Sequence, residues 1–285
     1  MQLGSLARWL KKDAPGWEGE LFTSSVYGRG RDVVLLHGLA ASPDTWEEAP
    51  EWLGDRMRLH LPHMRGFAGL GPSAFRDPMN FLKPMADALS GYIRMQVGRP
   101  VPVVGHSMGG VVALILARDH PDVVERLMVV DVPAFFSVLI NPFATPSSMA
   151  GLAQHSRRTY LDKSKAQLQD ELRVATSKLV VSPQQIDRIV RWGVASDRRT
   201  TADVMAEVMV TDLRGDLQHI QAPVDVIYAW DKAAHPSRLA LDQTYAAAYA
   251  GLVNGRKLRI DDARHYVMFD QPAVFYGAVN EWLAR

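Results

Sequence analysis

Three residue types stand where they could make a nucleophile, a base and an acid. The hexapeptide Gly105-His106-Ser107-Met108-Gly109-Gly110 sets a serine among small residues. A serine hydroxyl becomes a useful nucleophile when a sharp strand-to-helix turn lifts it clear of the sheet and a histidine takes its proton. Gly105 and Gly109, two before and two after Ser107, let the crossing backbones pass closely. Gly-x-Ser-x-Gly arises by chance in about one chain in ten of this length, so placement carries the weight. Val101–Val104 before it is apolar throughout, as a buried parallel strand should be. Met108–Asp119 after it reads as a helix, whose N-terminal dipole would favour a developing oxyanion. Upstream, His37-Gly38-Leu39-Ala40 ends the first strong strand. The Leu39 and Met108 N–H groups are the expected oxyanion donors, each worth about 3–4 kcal/mol in the transition state.

The chain has nine histidines. His37 and His106 belong to backbone motifs, His60 and His63 flank Pro62, and His120 precedes Pro121. His155, His219 and His235 lie in helical or loop segments. His265 follows the last strand and precedes the final helix, in Asp261-Asp-Ala-Arg-His265-Tyr-Val-Met-Phe-Asp270-Gln-Pro272. A base on a loop at the carboxyl edge of a sheet can reach a nucleophile on the same edge, so His265 is the expected base. The acid that orients it is expected to be Asp231, just past the strand Val224–Ala229, which gives the order Ser107…Asp231…His265. Asp131, ending the preceding strand, is the rival.

These residues need a frame that brings three distant stretches together. Short β-branched runs at Asp32–His37, Met57–Leu61, Val101–Val104, Arg126–Asp131, Val224–Ala229 and Lys257–Ile260 read as strands. Helical stretches at Asp44–Leu53, Pro78–Val97, Met108–Asp119, Pro236–Ala250 and Pro272–Ala284 lie between or after most of them. The alternation predicts an α/β fold with a mostly parallel sheet covered on both faces. From Val132 to about His219 no strand is evident. An apolar loop with Phe135, Phe136 and Phe143 is followed by helices near Ser147–His155, Lys163–Lys178, Pro183–Val194 and Ala202–Leu213. The expected division is a core of residues 1–131 and 220–285 with a helical cap at 132–219. The three phenylalanines, with His106, are candidate substrate-binding residues, although the phenylalanines could equally pack cap to core. Met1–Lys12 places Leu3, Leu6 and Leu10 at helical spacing beside Trp9, which reads as a short amphipathic helix docked on the body.

Composition removes other chemistries. The 285 residues contain no cysteine, which excludes a disulfide scaffold, a thiolate metal site and a cysteine nucleophile. A formal charge of +1 gives no support for nucleic-acid binding. No run of about 18 apolar residues could span a membrane. His60-Leu-Pro-His63 brings two imidazoles but no companion ligands for a metal. Gly28-Arg-Gly30-Arg-Asp-Val33 precedes a strand and lacks a third glycine, so it is no dinucleotide fingerprint. No metal or organic cofactor is expected. The start of the chain lacks the apolar stretch of an export signal, so a cytoplasmic location is expected, or a periplasmic or secreted one if a signal has been removed.

From about Phe22 to the end, the chain resembles the α/β-hydrolase superfamily, and within it the bacterial esterase and lipase-like members. The resemblance rests on His37-Gly38, the Gly105–Gly110 motif and His265…Asp270-Gln-Pro272. Leu127-Met-Val-Val-Asp131 and Met268-Phe-Asp-Gln-Pro272-Ala-Val-Phe-Tyr276 echo a set of bacterial members, many of which carry an export signal. It implies an eight-stranded sheet, a helical cap after the sixth strand and Ser-His-Asp hydrolysis of a small-molecule ester. Two stretches depart from the pattern: His63 stands where members often have aspartate, and the usual Gly-x-x-Asp acid loop reads Ala229-Trp230-Asp231. A serine at position 107 argues against dehalogenases and epoxide hydrolases of this fold, which use aspartate there. Carbon–carbon bond hydrolysis of diketones, lactone hydrolysis and ligand binding without turnover use the same constellation and stay open.

Overall fold

The computed structural model describes residues 16–54, 56–74 and 77–285; the amphipathic stretch expected at Met1–Lys12 lies outside them. Eight strands form one sheet: β1 (Trp17–Glu18), β2 (Phe22–Gly28), β3 (Arg31–Leu36), β4 (Met57–Met64), β5 (Val101–His106), β6 (Val124–Val130), β7 (Val224–Trp230) and β8 (Lys257–Asp261). Their spatial order is β1-β2-β4-β3-β5-β6-β7-β8. All pairings from β4 through β8 are parallel, while β2 runs antiparallel to both β1 and β4. The six strands expected from sequence are present. β1 and β2 are additional, because hydroxyl side chains interrupt Phe22-Thr-Ser-Ser-Val-Tyr and leave it short of a continuous apolar run.

Side-chain alternation divides the core between the two faces of the sheet. Val34, Leu36, Val103, Leu127 and Val129 pack under α2 (Leu82–Gln96), α3 (Met108–Asp119) and α8 (Arg238–Ala248). Val33, Leu35, Val104, Met128 and Val130 pack under α1 (Ala49–Leu53) and α9 (Pro272–Ala284). Every residue of α3 from Met108 to Ala117 is buried, so the helix that begins at the serine is clamped along its length.

Four helices intervene between β6 and β7: α4 (Pro146–Asp162), α5 (Lys165–Thr176), α6 (Pro183–Ala195) and α7 (Arg198–Val210). Side-chain acceptors fix several of their starts. Thr145 with Ser148 and Ser164 with Gln167 form reciprocal capping boxes, and Asp197 accepts from Thr200 N. The inserted helices are tied to loops that leave the carboxyl ends of β3 and β4. Arg188 forms a two-pronged ion pair with Glu47, Asp197 N–H donates to Gly66 O at 2.8 Å, and Gly69 N–H donates to Ala195 O at 3.2 Å. The insertion is therefore anchored to loops on the same edge of the sheet as the candidate serine and histidine. Among the described residues no helix is long and apolar enough to cross a membrane.

One of these ties also explains a boundary. The helix expected from Pro78 begins at Leu82, after Met79 adopts a φ of 58°. Its capping residue is Phe81, which has no acceptor of its own, and Glu207 of α7 supplies one. The Glu207 carboxylate accepts Phe81 N–H at 2.8 Å and Leu82 N–H at 3.1 Å. Burial pushes the Glu207 carboxyl upward, partly offset by these two donors. Glu207→Ala leaves two buried donors unmet and is expected to cost about 2 kcal/mol of stability. Glu207→Gln, which keeps one acceptor, should cost less; denaturant unfolding of both variants checks the order.

Candidate active site

The turn at Ser107 is built by close approach. A β-carbon on Gly105 would stand 2.4 Å from Gly109 O, and one on Gly109 would stand 2.6 Å from His37 O. No side chain fits at either place, so β5, α3 and the end of β3 can meet only through glycine. Ser107 itself has φ 54° and ψ −124°, a conformation that serine rarely adopts and that only surrounding packing can enforce. Its N–H donates to Val130 O at 2.9 Å, and its carbonyl accepts from Gly110 N–H at 2.8 Å. Met108 is the first residue of α3, so its N–H has no partner within the helix.

The second candidate oxyanion donor is set by His37. Fully buried, His37 accepts Met64 N–H at Nε2 (3.1 Å), which makes Nδ1 the donor to Gly38 O at 2.8 Å. A peptide's carbonyl and N–H point opposite ways, so anchoring the Gly38 carbonyl turns the Leu39 N–H away from His37. The same loop passes closely by the serine: a β-carbon on Gly38 would lie 3.2 Å from Ser107 Cβ.

Burial, followed by the neighbouring His63, lowers the His37 pKa to about 3 from an ordinary 6.5. Unfolded His37 takes up a proton below pH 6.5, whereas folded His37 does not until about pH 3. Its contribution to stability is therefore complete above pH 6.5 and lost progressively between 6.5 and 3. His60 and His106 are also lowered by burial and act with the same sign. The melting temperature should fall steadily from pH 7 to pH 4, and His37→Asn, less stable at pH 7, should show a shallower fall.

His265 lies beside this turn. Its ring centroid is 4.5 Å from that of His106, the residue next to Ser107, and its Nδ1 is 2.8 Å from Asp131 Oδ2. With Nδ1 donating to a carboxylate, Nε2 is the nitrogen left to accept a proton. Asp131 directly follows β6 with φ 53°. Its other oxygen, Oδ1, accepts Ala229 N–H at 2.8 Å and the Tyr245 hydroxyl at 3.3 Å. Tyr245 is held well above its ordinary pKa by burial and by the Asp131 charge, so it remains a protonated donor. The carboxylate is thus fixed from three directions.

The expected acid, Asp231, is not on the histidine. Its Oδ1 accepts Ala233 N–H at 3.0 Å and Ala234 N–H at 3.2 Å, and it pairs with Arg264 at 3.4 Å. Asp131 follows β6, the strand beside β5, and its carboxylate reaches the histidine, whereas Asp231 past β7 is taken up by its own loop and by Arg264.

The candidate substrate contacts sit in different surroundings. His106 is fully buried and its Nε2 bonds to His265 O at 3.0 Å, so the ring packs under the turn and supports the histidine loop. Phe135 is fully buried beneath the Arg214 guanidinium, 4.9 Å from its ring, and joins the insertion to the body. Phe143 is 88% exposed and packs on neither. Phe136 is half-buried against the main core. Sequence reasoning did not single out Tyr245; a tyrosine inside a helix gives no sign of the carboxylate above it.

The two histidines considered for a metal are engaged elsewhere. His60 lies between Asp32 Oδ1 (2.9 Å) and the Tyr92 hydroxyl (2.7 Å), and His63 Nε2 is 2.9 Å from Phe67 O. Burial outweighs the carboxylate at His60 and keeps the ring neutral, while His60 and Arg99 hold Asp32 ionised against its own burial.

Comparison with known proteins agrees with this architecture. The chain is 28% identical over 271 residues to a pimeloyl-[acyl-carrier protein] methyl ester esterase of Vibrio cholerae, covering 91% of this chain and 97% of that protein. It is 27% identical over 267 residues to the magnesium-chelatase 30 kDa subunit of Rhodobacter capsulatus, covering 89% and 87%. Among solved structures it shares its fold with a thermophilic esterase from Thermogutta terrifontis (TM-score 0.75, 20% identity, 95% and 98% covered). It likewise shares it with the enol-lactonase from Burkholderia xenovorans (TM-score 0.74, 19% identity, 95% and 100% covered). Residues 33–278, spanning the serine turn, the insertion and the histidine loop, match the alpha/beta hydrolase family, and the chain belongs to it.

Proposed function

We propose that this protein is a serine hydrolase of carboxylic esters with apolar acyl groups, and that Ser107, His265 and Asp131 perform the reaction. The observation that carries the reading is the 2.8 Å bond between His265 Nδ1 and Asp131 Oδ2, on a loop packed against the strained Ser107 turn. His265 Nε2 takes the Ser107 proton as Oγ attacks the ester carbonyl. The Leu39 and Met108 N–H groups receive the oxyanion. Collapse of the tetrahedral intermediate expels the alcohol, which leaves with the proton from His265. A water molecule, deprotonated by the same nitrogen, then frees the acid from Ser107. The Asp131 carboxylate orients the ring and stabilises the imidazolium.

The inserted helices act as the cap over this site. Leu39 and Ala40, half-buried hydrophobic residues on the loop that passes Ser107, favour an uncharged acyl chain. The methyl ester named for the Vibrio cholerae relative makes a methyl ester the first substrate to try. The test is a panel of methyl and p-nitrophenyl esters of graded acyl length, with lactones and vinylogous diketones beside them. Labelling with a fluorophosphonate and peptide mass spectrometry accompanies it. The expected result is ester turnover and a single adduct on Ser107; turnover of esters with no adduct on that residue would overturn the mechanism.

A further inference from the structure

The loop that carries His265 is held at three consecutive residues, and two of the three holds bear on the inserted helices. Arg264 N–H donates to Asp270 Oδ2 at 2.9 Å, His265 O bonds to His106 Nε2 at 3.0 Å, and Tyr266 N–H donates to Leu179 O at 3.0 Å. Leu179 lies in the linker between α5 and α6. That linker is fastened again by Val181 N–H, which donates to the other Asp270 oxygen, Oδ1, at 2.9 Å. Arg264 reaches it too, through Nη1 to Ser177 O at 2.6 Å. One carboxylate thus joins the residue before His265 to the linker. Val180, fully buried between these bonds, packs in the same core cluster as Tyr266 and Met268.

We propose that Asp270 is a positioning residue for His265 and that, with the Ser177–Val181 linker, it couples the place of the inserted helices to the place of the base. This rests on the serine-hydrolase reading above. Asp270 touches neither the serine nor the Asp131–His265 pair. It acts by fixing the backbone from which the imidazole projects. Moving α5 and α6 away from the sheet therefore pulls on the peptide that follows His265 and on the one that precedes Arg264. The insertion is part of the alignment of the site as well as its roof.

The test compares wild type, Asp270→Asn and Val181→Pro. Asparagine keeps the size but offers one acceptor in place of two. Proline at the exposed position 181 removes the linker's donor and fixes the backbone there. Each variant is assayed for kcat and KM on a p-nitrophenyl ester, for its rate of phosphonylation by a fluorophosphonate, and for its melting temperature. Misplacing a reacting group by about 1 Å costs on the order of a hundredfold. Asp270→Asn is therefore expected to lower kcat and the phosphonylation rate together by about ten- to a hundredfold, with KM changed less than about threefold. Val181→Pro should show a smaller fall of the same kind. Phosphonylation of Asp270→Asn at the wild-type rate, or an effect on KM alone, overturns the proposal. If Asp270→Asn unfolds at the assay temperature, Val181→Pro decides: an unchanged kcat counts against the coupling and a lowered one for it. Absence of any label on wild-type Ser107 would instead strike the serine mechanism.

Discussion

Asp131→Asn is expected to reduce kcat for an ester by about ten-thousandfold, whereas Asp231→Asn should leave it within about threefold of wild type. The Asp131 carboxylate meets His265 Nδ1 at 2.8 Å and is the group that would stabilise the imidazolium. An asparagine carboxamide has the same shape but no charge, and its amide nitrogen facing Nδ1 favours the wrong tautomer. The side chain should stay in place, because Ala229 N–H and the Tyr245 hydroxyl still find an acceptor at its other end. The loss therefore belongs to chemistry and not to folding, and an unchanged melting temperature would say so. In Asp231→Asn the remaining carbonyl still accepts Ala233 and Ala234 N–H, and only the 3.4 Å pairing with Arg264 is given up. Steady-state kinetics on the two variants side by side settles which aspartate serves the histidine. A large loss in Asp231→Asn with little in Asp131→Asn would reverse the assignment.

Ser107→Ala should lower kcat further, on the order of 10⁵- to 10⁶-fold, with KM for the same ester nearly unchanged. Removing one oxygen leaves no nucleophile, and His265 and Asp131 then have nothing to activate, so the loss does not add to that of Asp131→Asn. The double variant should be about as slow as Ser107→Ala alone. What remains is catalysis by the Leu39 and Met108 donors and by binding. The backbone at position 107 is held by Val130 O and Gly110 N–H, neither of which involves the side chain, so the fold is expected to survive. Turnover of Ser107→Ala at even one-hundredth of the wild-type rate, in protein free of wild-type contamination, would point to a different nucleophile.

Much of the site was legible in the sequence because its signals are local. A strand that must be buried on both faces shows as an apolar run, and a crossing with no room for a β-carbon shows as glycine. Val101–Val104, Gly105 and Gly109 therefore announced the serine turn without any tertiary information. His265 was singled out by its place between the last strand and the last helix. The strand β2 was missed because three of its first four residues carry hydroxyls, and its pairing with β4 shows only when the partner is present.

The amino-acid sequence by itself determined the candidate nucleophile and base, the alternating strand–helix frame and the helical insertion between β6 and β7. Each follows from the chemistry of a short stretch or from the period of its apolar residues. Which aspartate meets the base was decided only by the tertiary structure. Asp131 and Asp231 both end apolar strands, and nothing in their neighbours ranks them. The folded loops rank them, because the Asp131 carboxylate meets His265 while Asp231 is engaged by Ala233, Ala234 and Arg264. The burial of His106 and the exposure of Phe143 were decided in the same way, because whether a ring is enclosed or bare depends on residues far along the chain. The attachment of the histidine loop to the inserted helices is likewise invisible in one dimension, since Asp270 and Val181 lie 89 positions apart and meet only across the fold.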